Sequence, residues 1–141
     1  MSWFPDRESC QSWGGPEFRF PFAEDSFRDD AKLVSLPSWA LVGNDRTLAG
    51  FGQCYLRVGR CHVGRLVIAP AFRRQGFGGT LVRELCSWGR TEFGVESCSL
   101  FVMASNVRAK RLYERLGFAQ VPYPEPAPEL QEIIYMVAAQ P

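Results

Sequence analysis

The chain has 141 residues, 46% of them hydrophobic and 22% charged, the size and balance of one globular domain with its own core. Its formal net charge is +1, so no global field draws it to nucleic acid or to an anionic membrane. Five scattered cysteines (Cys10, Cys54, Cys61, Cys86 and Cys98) form no CxxC pair, and a lone His62 does not complete a usual zinc site. Reduced, buried thiols and no metal are therefore expected. No basic region followed by an apolar run marks a signal peptide, and no stretch nears the roughly 20 apolar residues of a membrane span. Cytoplasmic residence is the expectation.

Taken in order, Pro5-Asp6 opens a short helix that runs to about Trp13 and stops at Gly14-Gly15-Pro16. Phe18 to Phe22 reads as extended, because Pro21 restricts the residue before it. A second short helix is expected from about Glu24 to Lys32. The pattern then changes to strands: Trp39 to Val42, a turn at Gly43 to Arg46, and a hairpin partner from Leu48 to Arg57. Gly50 and Gly52 in that partner predict a bulge or a close backbone approach. Gly59-Arg60 turns the chain into a third strand, about Cys61 to Ile68, ended by Pro70.

From Gly78 the apolar period is helical, with Leu81, Val82, Leu85 and Trp88 on one face and Gly94 beyond the end. Cys98 to Met103 is an apolar strand. Asn106 can cap a further helix that carries Ala109, Leu112, Tyr113 and Leu116 on one stripe, with Gly117 as its C-terminal cap. Short strands are expected around Phe118 to Val121 and Glu132 to Ala138, separated by an exposed proline-rich loop from Pro122 to Pro128. Neither an internal repeat nor a second domain is visible, so residues 1–141 read as one domain.

The most informative stretch is strand, glycine-containing loop, helix. Successive backbone N–H groups at a helix N-terminus cradle an anion, and the helix dipole strengthens the attraction. Gly76, Gly78 and Gly79 let a phosphate approach the backbone, while Arg73 and Arg74 add charge beside it. A P-loop is excluded because Thr80, not lysine, follows Gly79. A dinucleotide fingerprint is excluded because the strand ending at Met103-Ala104 carries no acid. The remaining structural alternative is a tight turn that needs glycine for geometry only.

The run Val67-Ile68-Ala69-Pro70-Ala71-Phe72-Arg73-Arg74-Gln75-Gly76-Phe77-Gly78 resembles the acyl-CoA-binding motif of the GNAT superfamily of N-acyltransferases, matching it at Arg73, Gly76 and Gly78. Asn106-Val107-Arg108-Ala109-Lys110-Arg111-Leu112-Tyr113-Glu114-Arg115-Leu116-Gly117-Phe118 is similar to a second block of that superfamily. The resemblance implies an α/β (α+β) fold. Its sheet would be mixed, mostly antiparallel and twisted, flanked by helices, with a V-shaped splay between two parallel central strands. The family's first edge strand is either absent or upstream, and an unpaired sheet edge favours a homodimer.

What the resemblance further implies is acetyl-CoA as acyl donor. Leu66, Val67 and Ile68 would pair with its pantetheine arm, and Arg73, Arg74, Gln75, Gly76, Phe77, Gly78, Gly79 and Thr80 would hold its pyrophosphate. Asn106 would contact the arm or order the end of the second central strand. A neutral primary amine of a small molecule or peptide would attack the thioester directly, and Tyr113 would protonate the departing thiolate. The base is not evident: many relatives carry a glutamate on the strand before the loop, and Cys61 to Ile68 has no carboxylate. Relatives that acetylate ribosomal-protein N-termini carry a glutamate where this chain has Phe101. His62 lies on the right strand, as a base or as a packed histidine; Glu24, Asp25 and Glu132 could act through water. For the acceptor pocket, the resemblance points to residues 3–32 and 122–129. There Trp13, Phe18, Phe20, Phe22 and Phe27 would supply aromatic wall and Glu24, Asp25, Asp29 and Asp30 negative charge, unless the former are core and the latter solvated. Two other readings compete with the enzyme: a non-catalytic acyl-CoA-binding sensor or interaction module, and a nucleotide-binding domain.

Overall fold

The computed structural model describes residues 3–127 and 130–141, so Pro128 and Glu129 of the expected loop lie outside the described residues. In chain order the elements are α1 (Arg7–Gly14), α2 (Glu24–Asp30), β1 (Ser38–Val42), β2 (Leu48–Arg57), β3 (Arg60–Ile68), α3 (Phe77–Phe93), β4 (Cys98–Met103), α4 (Val107–Arg115), β5 (Ala119–Gln120) and β6 (Ile133–Ala138). The strands form one sheet in the order β1-β2-β3-β4-β6-β5. Only β3 and β4 run parallel; the other neighbours are antiparallel.

Local chemistry explains where the helices begin and end. Asp6 accepts the Ser9 N–H at 2.8 Å while the Ser9 hydroxyl faces the Asp6 N–H, a reciprocal cap that opens α1. Asn106 Oδ1 accepts the Ala109 N–H at 3.2 Å and opens α4. Gly76 precedes α3 with φ +83° and Gly94 follows it with φ +65°, left-handed conformations that glycine adopts without a Cβ penalty. The segment from Phe18 to Phe22, expected to be extended, joins no strand of the sheet; it bends at Phe20–Pro21 and packs its rings inward.

The alternation of the strands sorts their side chains onto two faces. Cys54, Cys61, Val63, Cys98, Leu100 and Val102 face Leu81, Val82, Leu85 and Cys86 of α3 in the main core. All five cysteines are free and buried. Gly89, in the second half of α3, lies so close to β3 that a Cβ there would overlap Cys61 Sγ. On the other face of the sheet, Phe18 and Phe51 anchor a second, aromatic core with Trp13, Phe22 and Phe27 from the α1–α2 region. Gly14 is part of that packing, since a Cβ would meet Phe18 Cδ2 at 2.5 Å.

Two irregularities shape the centre of the sheet. β3 carries one residue more than β2 between the pairs Phe51–Val67 and Gln53–Gly64, and Arg65 within it adopts φ +48°. The bulge faces Gly52, whose missing Cβ leaves room for Leu85 and Leu66; a side chain there would approach them at 2.7 and 2.9 Å. The second irregularity is a separation. β3 and β4 pair only over Cys61–Cys98, His62–Ser99 and Val63–Leu100, and from Gly64 onward they part. The expected V is therefore present in the sheet.

Candidate active site

Past the apex of the V, a cavity of about 790 Å³ opens on the α1–α2 side of the sheet. Leu66 and Val67 line it from the splayed half of β3, Val102 and Met103 from β4, and Asn106, Ala109 and Tyr113 from α4. Ile68 is not part of that lining; it packs against the main core. Beyond Gly64, β3 has no hydrogen-bonded partner on its β4 side, so its peptide edge faces into the V. Such an edge accepts an extended ligand as one more strand.

The loop that follows β3 ends at the N-terminus of α3. Among the described residues, no acceptor meets the N–H groups of Phe77, Gly78 and Gly79, the donors that a helix start leaves free. A Cβ on Gly78 would make only ordinary contact, 3.5 Å from Leu112 Cδ2, so the approach to these donors is open. Phe77 to Thr80 form the first turn of α3 and are not loop. The charged residues of the loop have structural duties as well. Arg73 Nε donates to Ile68 O at 2.9 Å and ties the loop to the end of β3. Gln75 Nε2 donates to Ala71 O at 3.2 Å, and Thr80 Oγ1 to Gly76 O at 3.3 Å. Arg74 is exposed and takes φ +63°.

Tyr113 lies on the inner stripe of α4, its ring 6.1 Å from that of Phe118. Burial pushes its phenol up to about 12, so at neutral pH it is a proton donor and not a phenolate. His62 sits at the apex of the V, 2% exposed, with Nδ1 2.9 Å from Ser99 Oγ and its ring against Phe101 and Tyr55. Burial, and secondarily the charge of Arg57, holds its pKa down at about 3. His62 is thus a packed neutral imidazole that touches the cavity, and too weak a base to take a proton from an alkylammonium.

The floor and far wall of the cavity come from side chains that periodicity alone did not mark as functional. Gln53, Tyr55 and Arg57 occupy alternate positions of β2 on the cavity face, and Phe101 faces them from β4. Gly64 pairs with Gln53 and leaves space there, since a Cβ would meet only Tyr55 Cε1 within 4 Å. Arg57 lies over Phe101 at 4.8 Å and donates through Nε to the Tyr123 hydroxyl at 2.9 Å. Tyr123 belongs to the stretch expected to be an exposed loop; instead its ring packs on Phe101 and Tyr135. Arg65, turned by the bulge, donates to Gln53 Oε1 at 3.0 Å and Gly14 O at 3.2 Å, and burial pulls its guanidinium below the usual range.

The acceptor features expected from the aromatics and acids of the first third divide. Trp13 and Phe4 line the cavity, whereas Phe18, Phe20, Phe22 and Phe27 pack in the aromatic core. None of Glu24, Asp25, Asp29, Asp30 or Glu132 reaches the cavity. Glu24 pairs with Arg28 along α2, and Asp30 is held by the Arg19 guanidinium at 2.8 Å, which keeps its carboxyl below the usual range. The cause is local: Glu24, Asp25 and Asp29 of α2 are exposed to solvent, where a charge keeps its hydration, and Asp30 is taken up by Arg19.

Comparison with known proteins bears on this architecture. Among curated proteins, the N-terminal acetyltransferase complex ARD1 subunit homologue of Leishmania donovani is 39% identical over 57 residues, 40% of this chain and 31% of that protein. A Bacillus subtilis (strain 168) protein, named as a candidate [ribosomal protein bS18]-alanine N-acetyltransferase, is 29% identical over 103 residues, 71% of this chain and 66% of that protein. The matched stretches thus span less than two thirds of either relative. The fold resembles that of the ribosomal-protein-S18-alanine N-acetyltransferase from Escherichia coli, with a TM-score of 0.62, 23% identity, and coverage of 96% of this chain and 90% of that one. The family model of the acetyltransferase (GNAT) family matches residues 7–118, most of the chain, and the chain belongs to that family.

Proposed function

We propose that the chain is an N-acyltransferase that moves an acetyl group from acetyl-CoA to a primary amine by direct attack within a ternary complex. One coincidence carries this reading. The parted half of β3 and the half-buried Tyr113 line one cavity, and the free amides of the α3 N-terminus lie beside it, outside its lining, where Gly78 packs next to Ile68 at the end of β3 and Leu112 of α4. Leu66, Val67 and Ile68 would align the pantetheine arm along the splayed edge. The turn from Arg73 to Thr80 would hold the pyrophosphate on the amides of Phe77, Gly78 and Gly79, with Arg73 and Arg74 supplying charge. Asn106 would fix the start of α4, and through it the position of Tyr113.

In the transfer, the amine nitrogen forms a bond to the acetyl carbon, the carbon–sulfur bond breaks, and Tyr113 supplies a proton to the thiolate. The amine loses its own proton to water, because no carboxylate among the described residues lines the cavity. That last feature also favours a second reading, a non-catalytic acyl-CoA-binding module. The cytoplasmic setting and a second copy of the chain against the β1 edge belong to the same proposal. Calorimetric titration of the purified protein with acetyl-CoA tests the donor site. Micromolar binding is expected, and a folded sample that releases no heat overturns the reading.

A further inference from the structure

The cavity wall has an unusual charge balance. Three of its residues are cations: Arg57 and Arg65, both half-buried, and Lys32 at its exposed margin. Among the described residues, not one that lines it is aspartate or glutamate. Neither arginine has a carboxylate within ion-pair distance among the described residues; the pairs on the surface engage Arg19, Arg28 and Lys110 instead. Asp30 acts on Arg65 only through space, since its own oxygens are taken by Arg19.

These cations keep donor capacity in reserve. Arg57 donates Nε to Tyr123, is held over Phe101 and has Tyr55 beside its guanidinium, so its polar neighbours among the described residues are neutral phenols and none is a carboxylate. Arg65 spends Nε and Nη1 on Gly14 and Gln53, leaving Nη2. Trp13, on the same wall, has an indole N–H that is buried and finds no acceptor either. A partly desolvated guanidinium without a counter-ion is a costly arrangement, and a planar fork of donors suits a carboxylate. The wall offers donors and cations; what it lacks is an anion.

We infer that the acceptor amine carries its own carboxylate, drawn to the cationic wall to which Arg57 and Arg65 each contribute, so that the substrate class is amino-acid-like amines and not polyamines. This rests on the acyltransferase reading and deepens it. The same charges address the missing base. A positive wall disfavours the ammonium form of a bound amine and lowers its pKa, so the nitrogen can lose its proton to water without a protein carboxylate. A polycation such as spermidine meets repulsion from Arg57, Arg65 and Lys32 and finds no anionic contact.

The test compares initial rates of acetyl-CoA consumption with free α-amino acids, the matching α-amides, and spermidine, after acetyl-CoA binding has been established by calorimetry. The amides are a stringent control, because their amines are less basic and react faster where recognition is equal. At least tenfold higher kcat/KM for the amino acids is expected. In Arg57→Gln, KM for the amino acid should rise at least tenfold while acetyl-CoA affinity is unchanged; Arg65→Gln should act the same way, provided its melting curve stays cooperative. Amides or spermidine as good as the amino acids, or no turnover of any amino acid by a protein that binds acetyl-CoA, overturns the inference alone. Failure to bind acetyl-CoA overturns the acyltransferase reading beneath it.

Discussion

Placing a carboxylate at the start of α3 should move stability and ligand binding in opposite directions. In Gly78→Glu the new Cβ makes only ordinary contact with Leu112 and Ile68, at 3.5 and 3.8 Å, so the substitution introduces no clash. Gly78 is helical, and glutamate is the better helix former by about 0.5 kcal/mol. An acid in the first turn also meets the positive end of the dipole, a gain of about 0.3–1 kcal/mol. The free protein should therefore melt a few degrees higher. For the pyrophosphate the sign reverses. A unit charge about 4 Å from another, at an effective dielectric of about 20, repels by about 4 kcal/mol, and halving this for solvent exposure leaves about 2 kcal/mol. Acetyl-CoA affinity should fall at least about thirtyfold. Thermal melts with and without acetyl-CoA read both effects in one experiment. A Gly78→Glu protein that binds acetyl-CoA as wild type does would refute the placement of the pyrophosphate on α3, and one that melts well below wild type would refute the steric argument.

Further predictions concern the scaffold. His62 is neutral when folded and titrates near the ordinary value of about 6.5 when unfolded, so its contribution to stability is whole above that pH and is lost as pH falls toward 3. The expected loss is up to about 1.4 kcal/mol per pH unit, and His62→Gln should flatten the melting temperature between pH 7 and pH 5; an unchanged slope would remove His62 as its cause. Gly89→Ala should destabilise by about 1–3 kcal/mol despite the better helix propensity of alanine, because its methyl would meet Cys61 Sγ. In a Cys61→Ala background, where the nearest remaining β3 atom would be the residue-61 Cβ at 3.4 Å, the same change should be close to neutral in denaturant titration. Equal costs in both backgrounds would contradict that packing. Asn106→Ala should cost about 1 kcal/mol through the lost α4 cap, measurable by chemical denaturation, and a smaller cost would show that Asn106 Oδ1 is dispensable there.

Much of the fold was legible because the signals are local. The 3.6-residue stripe of α3, the Asp6 and Asn106 caps and the apolar run of β4 each decide their element without help from the rest of the chain. As local structure, the turn from Arg73 to Gly76 before α3 and the cap of α4 at Asn106 were legible for the same reason. The acceptor wall was not. Arg57 and Arg65 reach the cavity only through the β2–β3 hairpin and the bulge at Arg65, and Tyr123 meets Arg57 only through the return of the chain before β6. Tyr123 was obscured by its prolines, which predict a solvated loop and say nothing of one ring turned inward onto Phe101. The acids of α2 misled in the opposite sense: Glu24, Asp25 and Asp29 face water and Asp30 is bound by Arg19, so none reaches the wall. One signal was available in principle, the alternation of Gln53, Tyr55 and Arg57 along β2, which puts three polar side chains on the face opposite Cys54.

Amine-dependent release of CoA thiol from acetyl-CoA, wild type against Tyr113→Phe, tests the central claim most directly. The account predicts turnover by wild type and a loss of at least tenfold in kcat for Tyr113→Phe, with acetyl-CoA affinity and melting temperature preserved, since only the hydroxyl is removed. Equal turnover by the two proteins would contradict the role of Tyr113, and no turnover with any amine would leave a domain that binds the thioester and does not transfer from it.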